Sequence, residues 1–295
     1  MKIVIGIPAF NEEKNIAIVI TKLRKITEKI IVCNDGSRDL TATIAEKMGA
    51  FVVTHQKNLG YGASIRTIFK KFSEMDGDIL ITFDADGQHR VEDIDKIIKP
   101  LRNNEAEIVI GSRFLENNTE GVPSYRKIGI KAITNLTNIT SEKKLTDSQS
   151  GFRAYHKRVI SEIMPSDQGM GVSTEILIKA NKKGFRIKEV PIKILYEGKT
   201  STHHPVSHGI SVVLSTMKFI SIEHPLKFYG IPGIVFLIIG LIFIVWTIQV
   251  FSIARVVLAN AALAGVAFTI LGTILMMTSI MLFSLVNVVR EKQND

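Results

Sequence analysis

The feature that most constrains this chain is a long apolar segment near its C-terminus. The only charged residue between Phe228 and Val289 is Arg255. At ~1.5 Å of rise per residue, a helix over about 228–251 is long enough to cross a bilayer, and a second crossing fits at about 262–287. Two buried core helices are the alternative, but each run is too long and too poor in charge for that. The chain is therefore predicted to carry a two-helix membrane hairpin over residues 228–289.

Basic residues flank this hairpin. Lys227 precedes the first span, and Arg290 and Lys292 follow the second. Because positive charge is retained on the cytoplasmic side, both ends of the hairpin are expected in the cytoplasm, with the loop around Arg255 outside. The net charge of +9 is explained by anionic lipid headgroups and phosphate substrates, so no nucleic-acid partner is expected.

The segment 206–227, just before the hairpin, has the pattern of an amphipathic helix. Ile210, Val213, Leu214 and Met217 fall on one helical face. A helix of this kind can lie in the membrane interface, with a core helix as the alternative. We interpret the segment as interfacial.

Residues 1–205 have the pattern of one α/β domain. Apolar β-rich runs alternate with amphipathic stretches, which predicts a mostly parallel sheet covered by helices. Strands are predicted at Ile3–Ile7, Ile30–Asn34, Phe51–His55, Ile79–Phe83, Ile108–Ser112 and Ile187–Leu195. Helices are predicted at Asn15–Ile26, Thr41–Met48, Ser64–Phe72, Asp93–Leu101 and Thr174–Lys183. Ligands of such sheets bind beyond the carboxyl ends of the strands.

Two carboxylates one residue apart follow the strand at Ile79–Phe83. Asp84 and Asp86 point to the same side while the chain stays extended, and Gln88 adds an amide oxygen nearby. Mg²⁺ or Mn²⁺ is held by one or two carboxylates together with substrate phosphates, so the pattern indicates chemistry on a nucleotide diphosphate. A polar turn is the alternative for such a pair. We interpret His89 as a surface or hydrogen-bonding residue rather than a further ligand.

Two other strand ends carry polar segments, and all three are expected to share one pocket. Pro8-Ala9-Phe10-Asn11-Glu12 follows the first strand, and Asn34-Asp35-Gly36-Ser37 follows the second. The glycine-containing run Asn58–Gly62 precedes a helix. It is either a phosphate cradle or an ordinary helix-entry turn.

Five motifs in order carry a family resemblance. They are Ile7–Glu12, Asp35–Ser37, Asp84–His89, Gly111-Ser112-Arg113 and Gln149-Ser150-Gly151-Phe152-Arg153. Over roughly residues 1–200 the chain resembles family 2 glycosyltransferases of the GT-A fold, and among them the dolichol-phosphate sugar synthases. The resemblance implies a Rossmann-like mixed sheet that binds a nucleotide sugar.

The resemblance also implies roles for the donor side of the site. In the family, the counterparts of Pro8, Phe10, Glu12 and Asp35 hold the nucleotide base and ribose, although Glu12 and Asp35 could instead be helix-start residues. By the same likeness Asp84 holds the diphosphate, and the metal ligands are Asp84, Asp86 and Gln88. Lys199 is expected to close over the donor, in a segment that departs from the family pattern and carries an unexplained pair, His203 and His204.

For the acceptor, the resemblance points to arginines. A phosphate monoester has a second pKa near ~6 and is therefore already nucleophilic at neutral pH, so it needs positive charge rather than a base. Arg113 and Arg126 match acceptor-phosphate arginines of the family and, with Asp86, are the expected catalytic residues. Arg153 is a third candidate for the acceptor phosphate, with a salt bridge as an equally good account of it.

The implied enzyme is an inverting hexosyltransferase of the membrane. It would move one sugar from a nucleotide sugar to dolichyl (polyprenyl) phosphate, with its catalytic domain in the cytoplasm and Mg²⁺ or Mn²⁺ as cofactor. The expected donor is UDP-GlcNAc, with UDP-glucose and GDP-mannose as alternatives. A processive polysaccharide synthase and a catalytically silent scaffold are the competing interpretations. The first usually carries a Gln-x-x-Arg-Trp motif, whereas the only tryptophan here, Trp246, lies in a predicted span.

Overall fold

The structure is a computed structural model, and it describes residues 1–115, 124–138, 144–194, 214 and 216–294. The chain divides into two compact units, Met1–Thr216 and Met217–Asp295. The boundaries that the sequence suggests, 205/206 and 227/228, stay predictions. Of the segment predicted to be amphipathic, 206–227, residues 206–213 and 215 lie outside the described residues.

A seven-stranded mixed sheet forms the centre of the first unit. Its strands are β1 (Ile3–Ala9), β2 (Ile30–Asn34), β3 (Phe51–Thr54), β4 (Ile79–Thr82), β5 (Ile108–Ser112), β6 (Arg153–His156) and β7 (Ile187–Pro191). Their spatial order is β3-β2-β1-β4-β6-β5-β7. The first four are parallel, β6 is antiparallel to both of its neighbours, and β7 is parallel to β5.

Helices cover both faces of this sheet. They are α1 (Ile16–Leu23), α2 (Thr41–Lys47), α3 (Tyr61–Ser73), α4 (Ile94–Arg102), α5 (Ser124–Asn138), α6 (Lys157–Glu162) and α7 (Val172–Lys182). Side chains alternate across the strands, as the pleat requires. Ile5 and Ile7 of β1 pack in one buried cluster with residues of α1, α2 and α4. Val4 packs in the other, with residues of α3, α6 and α7.

One strand, β6, was not predicted. The segment Arg153–His156 contains polar residues and lacks an apolar alternation, so the sequence gives little sign of a strand there. It becomes central through pairing with β4, where Thr82 faces Arg153. The hydroxyl of Thr82 also donates to the carbonyl of Gly151 at 2.6 Å. This pairing brings Ser150 and Gly151, which precede β6, to the end of β4.

The second unit is dominated by two long apolar helices. Helix α8 (216–223) and a π-helical turn (Leu226–Gly230) precede α9 (Ile231–Ala254) and α10 (Ala259–Asn294). The stretches Leu226–Ala254 and Ala259–Val288 are long and apolar enough to cross a membrane, so the predicted pair of apolar helices is confirmed. Glycines let the two backbones approach closely: a Cβ at Gly240 would lie 2.9 Å from the carbonyl oxygen of Gly265.

Candidate active site

The loops that follow β1 and β2 are joined by reciprocal hydrogen bonds. The backbone N–H of Asn11 donates to Ser37 Oγ at 2.9 Å, and the N–H of Arg38 donates to Asn11 Oδ1 at 2.9 Å. The N–H of Glu12 donates to Thr41 Oγ1 at 2.8 Å. Asn11 has a φ of 56°, in the left-handed region that asparagine tolerates better than most residues. These bonds fix the two predicted nucleotide-binding segments side by side.

Within those segments, Pro8 and Phe10 lie at the end of β1. Pro8 is half-buried and faces Cys33 across the parallel pair β1–β2, and Phe10 directly follows the strand. Both residues therefore lie at the carboxyl ends of the parallel strands, where the other predicted donor residues are found. Their contact with a nucleotide stays a prediction.

Asp35 is buried, with 4% of its surface exposed, and is engaged by the protein itself. Its oxygens accept hydrogen bonds from the N–H groups of Leu59 and Gly60, both at 2.9 Å, and from His55 Nδ1 at 2.7 Å. Asp35 thus fixes the backbone that leads into α3. Its predicted contact with the nucleotide also remains a prediction.

The start of α3 is closed by another loop. The N–H groups of Gly62 and Ala63 point at the carbonyl oxygen of Gln168, at 2.9 and 3.3 Å. Together with the two N–H groups held by Asp35, these are the donors that a phosphate would use. The structure therefore favours the helix-entry interpretation of Asn58–Gly62 over the phosphate cradle.

The first aspartate of the acidic pair, Asp84, lies at the centre of a polar cluster. Its Oδ2 is 3.0 Å from His89 Nε2, and its carboxylate also hydrogen-bonds the hydroxyl of Tyr61. Burial alone would raise the pKa of Asp84, but the bond to His89 and the charge of Arg113 outweigh it and hold the pKa below its usual value. The carboxylate is therefore ionised at neutral pH. A side chain at Gly151 would crowd it, because a Cβ there would lie 2.9 Å from both oxygens.

His89 has the hydrogen-bonding role that we expected. It is 8% exposed and packs against Phe83 and Phe152, with ring centroids 5.5 and 4.9 Å away. Its other nitrogen, Nδ1, is buried and has no hydrogen-bond partner among the described residues. The aromatic packing fixes the ring, so that Nε2 orients Asp84.

The second aspartate, Asp86, begins a tight turn. The N–H of Gln88 donates to Asp86 Oδ1 at 3.0 Å, and Gly87 between them has a φ of 74°. Burial raises the pKa of Glu12, and the negative charges of Asp86 and Asp84 raise it further. Glu12, which is distant in sequence from the Asp84/Asp86 pair, is thus close enough to be repelled by both carboxylates.

This acidic group fits a divalent cation that is shared with a substrate. Among the described residues no cluster of three or more His, Cys, Asp or Glu side chains is arranged to hold a metal by itself. Asp84, Asp86 and the Gln88 amide offer hard oxygen donors, and Mg²⁺ typically completes such a partial set with phosphate oxygens. Repulsion among the carboxylates would also be relieved by a cation. The donor set is therefore suited to a metal bridged to a diphosphate.

Arg113 lines the same cavity as Asp84. The cavity has a volume of about 130 Å³, and Asp84, Gln88, Arg113 and Gln149 are among its lining residues. Nε and Nη2 of Arg113 form a two-pronged ion pair with Asp147, at 2.6 and 2.7 Å. This geometry is the one in which a guanidinium and a carboxylate bind most strongly. The structure therefore brings a predicted metal ligand and a predicted acceptor arginine together.

The assignment of Arg153 to the acceptor phosphate is wrong. This side chain is 1% exposed, and its guanidinium donates to three backbone carbonyls. The acceptors are Ser150 at 2.8 Å, Ser173 at 2.9 Å and Ser148 at 2.7 Å. The salt bridge that we considered is not its role either, because these partners are carbonyls. Arg153 holds the turn before β6 and the start of α7 in place.

The remaining predicted residues are described only in part. Arg126 belongs to α5, but its side chain lies outside the described residues. Lys199, His203 and His204 lie wholly outside them. Their expected roles stay predictions.

Sequence reasoning assigned no role to two carboxylates that organise the site. They are Asp147, two residues before the Gln149–Arg153 motif, and Glu189 of β7. Glu189 accepts hydrogen bonds from the N–H of Thr146 at 2.8 Å and from the N–H of Asp147 at 2.8 Å. Their partners are 34 to 43 positions away along the chain, so no local pattern marks them.

Comparison with known proteins identifies the class. The family model described as glycosyl transferase family 2 matches residues 4–164, and the chain belongs to this family. It is 38% identical over 218 residues to an uncharacterized protein of Methanocaldococcus jannaschii, covering 72% of this chain and 87% of the relative. It is 35% identical over 231 residues to a UDP-N-acetylglucosamine–dolichyl-phosphate N-acetylglucosaminyltransferase of Methanococcus voltae, covering 70% and 89%.

The fold is also seen in a solved structure. Glucosyl-3-phosphoglycerate synthase from Mycobacterium tuberculosis, in complex with Mn²⁺, UDP and glucosyl-3-phosphoglycerate, matches with a TM-score of 0.55 at 20% identity. The match covers 74% of this chain and 79% of that one. The predicted fold class, a GT-A mixed sheet followed by two apolar helices, is confirmed, and the protein is a glycosyltransferase.

Proposed function

We propose that this enzyme transfers one sugar from a nucleotide sugar to dolichyl (polyprenyl) phosphate at the cytoplasmic face of a membrane. The observation that carries the proposal is the cavity that Asp84 and Arg113 share. Asp84 offers a carboxylate for a metal-bound diphosphate, and Arg113 offers a guanidinium for a second phosphate. Two phosphates that meet in this way are those of a nucleotide-sugar donor and of a phosphorylated acceptor.

On the donor side, Asp84, Asp86 and Gln88 would hold Mg²⁺ or Mn²⁺. The bound ion would neutralise the charge that grows on the leaving nucleoside diphosphate. His89 and Tyr61 keep the Asp84 carboxylate oriented and ionised. Pro8, Phe10, Glu12 and Asp35 would surround the base and ribose, and Lys199 would close over the donor.

On the acceptor side, Arg113 would bind the lipid phosphate, assisted by Arg126. The phosphate is mostly dianionic at neutral pH and attacks the sugar directly, so no carboxylate base is required. A single in-line displacement inverts the anomeric carbon. Planar guanidinium groups suit this phosphate better than lysine would.

The acceptor assignment draws on the relatives and on the apolar helices. The relative from Methanococcus voltae is named for transfer of N-acetylglucosamine to dolichyl phosphate, and a more distant relative from Haloferax volcanii is named a dolichyl-phosphate hexose transferase. A pair of helices able to cross a bilayer would keep the enzyme beside a headgroup that cannot leave the membrane. We infer UDP-GlcNAc as the donor, with UDP-glucose and GDP-mannose as alternatives.

The test is transfer by the purified full-length chain in detergent. Polyprenyl phosphate is offered with labelled UDP-GlcNAc, UDP-glucose or GDP-mannose and Mg²⁺ or Mn²⁺, and lipid-linked product is measured. We expect product with one donor and loss of most turnover in Asp86→Asn, since a charge that binds the metal is removed. The absence of lipid-linked product with every donor, or full activity of Asp86→Asn, would contradict the proposal.

A further inference from the structure

A series of two carboxylates, Asp147 and Glu189, holds Arg113 in position. The first member, Asp147, has a fully buried side chain, whereas that of Arg113 is 17% exposed. Asp147 Oδ2 also accepts the backbone N–H of Arg113 at 3.2 Å. The carboxylate therefore fixes both the side chain and the main chain of the arginine at the end of β5.

Glu189 is the second member of this series. It accepts hydrogen bonds from the N–H and the hydroxyl of Thr146, at 2.8 and 3.0 Å, and from the N–H of Asp147. Thr146 is tied in turn to Ser112, with 2.6 Å between the two hydroxyl oxygens. Because Glu189 pairs with Ile110 in the β5–β7 register, the loop that carries Asp147 is anchored to the strand that presents Arg113.

We propose that Asp147 and Glu189 are positioning residues for the acceptor phosphate. Glu189 fixes the Thr146–Asp147 backbone, Asp147 fixes the guanidinium of Arg113, and Arg113 receives the phosphate. This inference rests on the proposed function, and it adds two residues to that site which act only through the arginine.

The geometry separates this role from general-base catalysis. Both oxygens of Asp147 bind the guanidinium, and its side chain is fully buried. A base must reach the proton that it removes, whereas Asp147 is fully buried and, unlike Arg113, is not among the residues that line the cavity. Losing its charge should therefore weaken the binding of one substrate and leave the other substrate unaffected.

The experiment compares Asp147→Asn and Glu189→Gln with a matched control, Glu107→Gln. Glu107 forms an ion pair with Arg186, just before β5 and β7 begin, at the opposite end of the same two strands. Initial rates with the full chain in detergent give KM for a short polyprenyl phosphate and KM for the nucleotide sugar. The two constants are measured separately for each variant.

We expect the acceptor KM to rise about tenfold in Asp147→Asn and severalfold in Glu189→Gln, with the donor KM unchanged. Glu107→Gln should leave both constants unchanged. Glu189→Gln keeps an oxygen that accepts the same N–H groups, so it remains informative if Asp147→Asn does not fold.

The possible failures are distinguishable. A wild-type enzyme that transfers sugar, with variants whose two KM values rise together or not at all, contradicts the positioning role alone. A similar rise of the acceptor KM in Glu107→Gln would also contradict it, because the effect would then be general. A wild-type enzyme with no transfer to polyprenyl phosphate contradicts the proposed function and this inference with it.

Discussion

The two halves of the sheet hold their loops by different means. In the parallel half, β1 to β4, short polar side chains such as Asn11, Ser37 and Thr41 join the loops after β1 and β2, and a single buried carboxylate, Asp35, binds the backbone before α3. In the mixed half, β5 to β7, charged groups that are buried or half-buried take this role. Arg153 binds three carbonyls, and Glu189 binds two backbone N–H groups.

The difference follows from topology. In the parallel half, the polar residues come directly after their strands, and parallel pairing places them at one edge. In the mixed half, antiparallel β6 enters between β4 and β5, so the chain around it has to be bound to several distant segments. Hydrogen bonds to ionised groups are roughly twice as strong as neutral ones and suit this purpose. The mixed half should therefore be the more sensitive to loss of a single side chain.

The largest effect is expected for Arg153→Met. The substitution keeps an apolar side chain but leaves three buried carbonyls without their donor, at a cost of about 3 kcal/mol or more in the free energy of unfolding. The thermal midpoint, followed by scanning fluorimetry of the full chain in detergent, should fall by roughly 6 °C or more.

The matched change in the parallel half is Ser37→Ala. It removes one exposed hydrogen bond to Asn11 and should cost less than about 1 kcal/mol. Equal shifts of the midpoint in the two variants would show that the halves do not differ in this way.

A smaller effect is expected for Gly62→Ala, where the start of α3 meets the loop at 167–169 of the mixed half. A Cβ at Gly62 would lie 2.7 Å from the carbonyl oxygen of Gly169 and closer still to that of Asp167. The loop from the mixed half would have to move away from the start of α3, at a cost of about 1–3 kcal/mol. The midpoint should fall by several degrees.

Gly129→Ala is the control for helix propensity. Gly129 lies in α5, and a Cβ there meets nothing within 4 Å among the described residues. Alanine is favoured over glycine in a helix by about 0.8–1.0 kcal/mol, so this variant should be slightly stabilised. If Gly62→Ala and Gly129→Ala both raise the thermal midpoint, the close approach of the 167–169 loop to Gly62 does not oppose a side chain there.

The same contrast explains how much the sequence could predict. Six of the seven strands were predicted within a few residues, because β1 to β5 are short, mostly apolar runs and β7, although it contains Lys188 and Glu189, lies in an apolar-rich segment. Asp84, Asp86 and Arg113 could be singled out as candidates because they follow strands within short motifs. The strand β6, the burial of Arg153 and the role of Glu189 were not, because each depends on partners tens of residues away. A motif identifies residue types, and only pairing shows that Arg153 faces the protein interior.

The smallest effect is expected in how the stabilisation that Glu175 of α7 provides changes with pH. Its side chain is fully buried, and it accepts hydrogen bonds from the N–H groups of Ser166 and Asp167, both at 2.8 Å. Burial raises the pKa of Glu175, but the bonds from Lys179, Ser166 and Asp167 outweigh it and hold the pKa below its ordinary value of 4.5. A carboxylate with a lowered pKa stabilises the fold above its unfolded-state pKa, and this stabilisation is lost as the pH falls through the folded-state pKa.

The difference in thermal midpoint between the wild type and Glu175→Gln tests this dependence. It should be about 3 °C at pH 7, remain constant down to pH 5.5 and shrink below pH 4.5. Glu162→Gln removes a more exposed carboxylate, paired with Arg158, and should change the midpoint little at any of these values. A difference for Glu175→Gln that stays constant to pH 4 would mean that the charge of this carboxylate does not stabilise the loop at 166–167, and that the mixed half depends less on buried charge than its hydrogen bonds indicate.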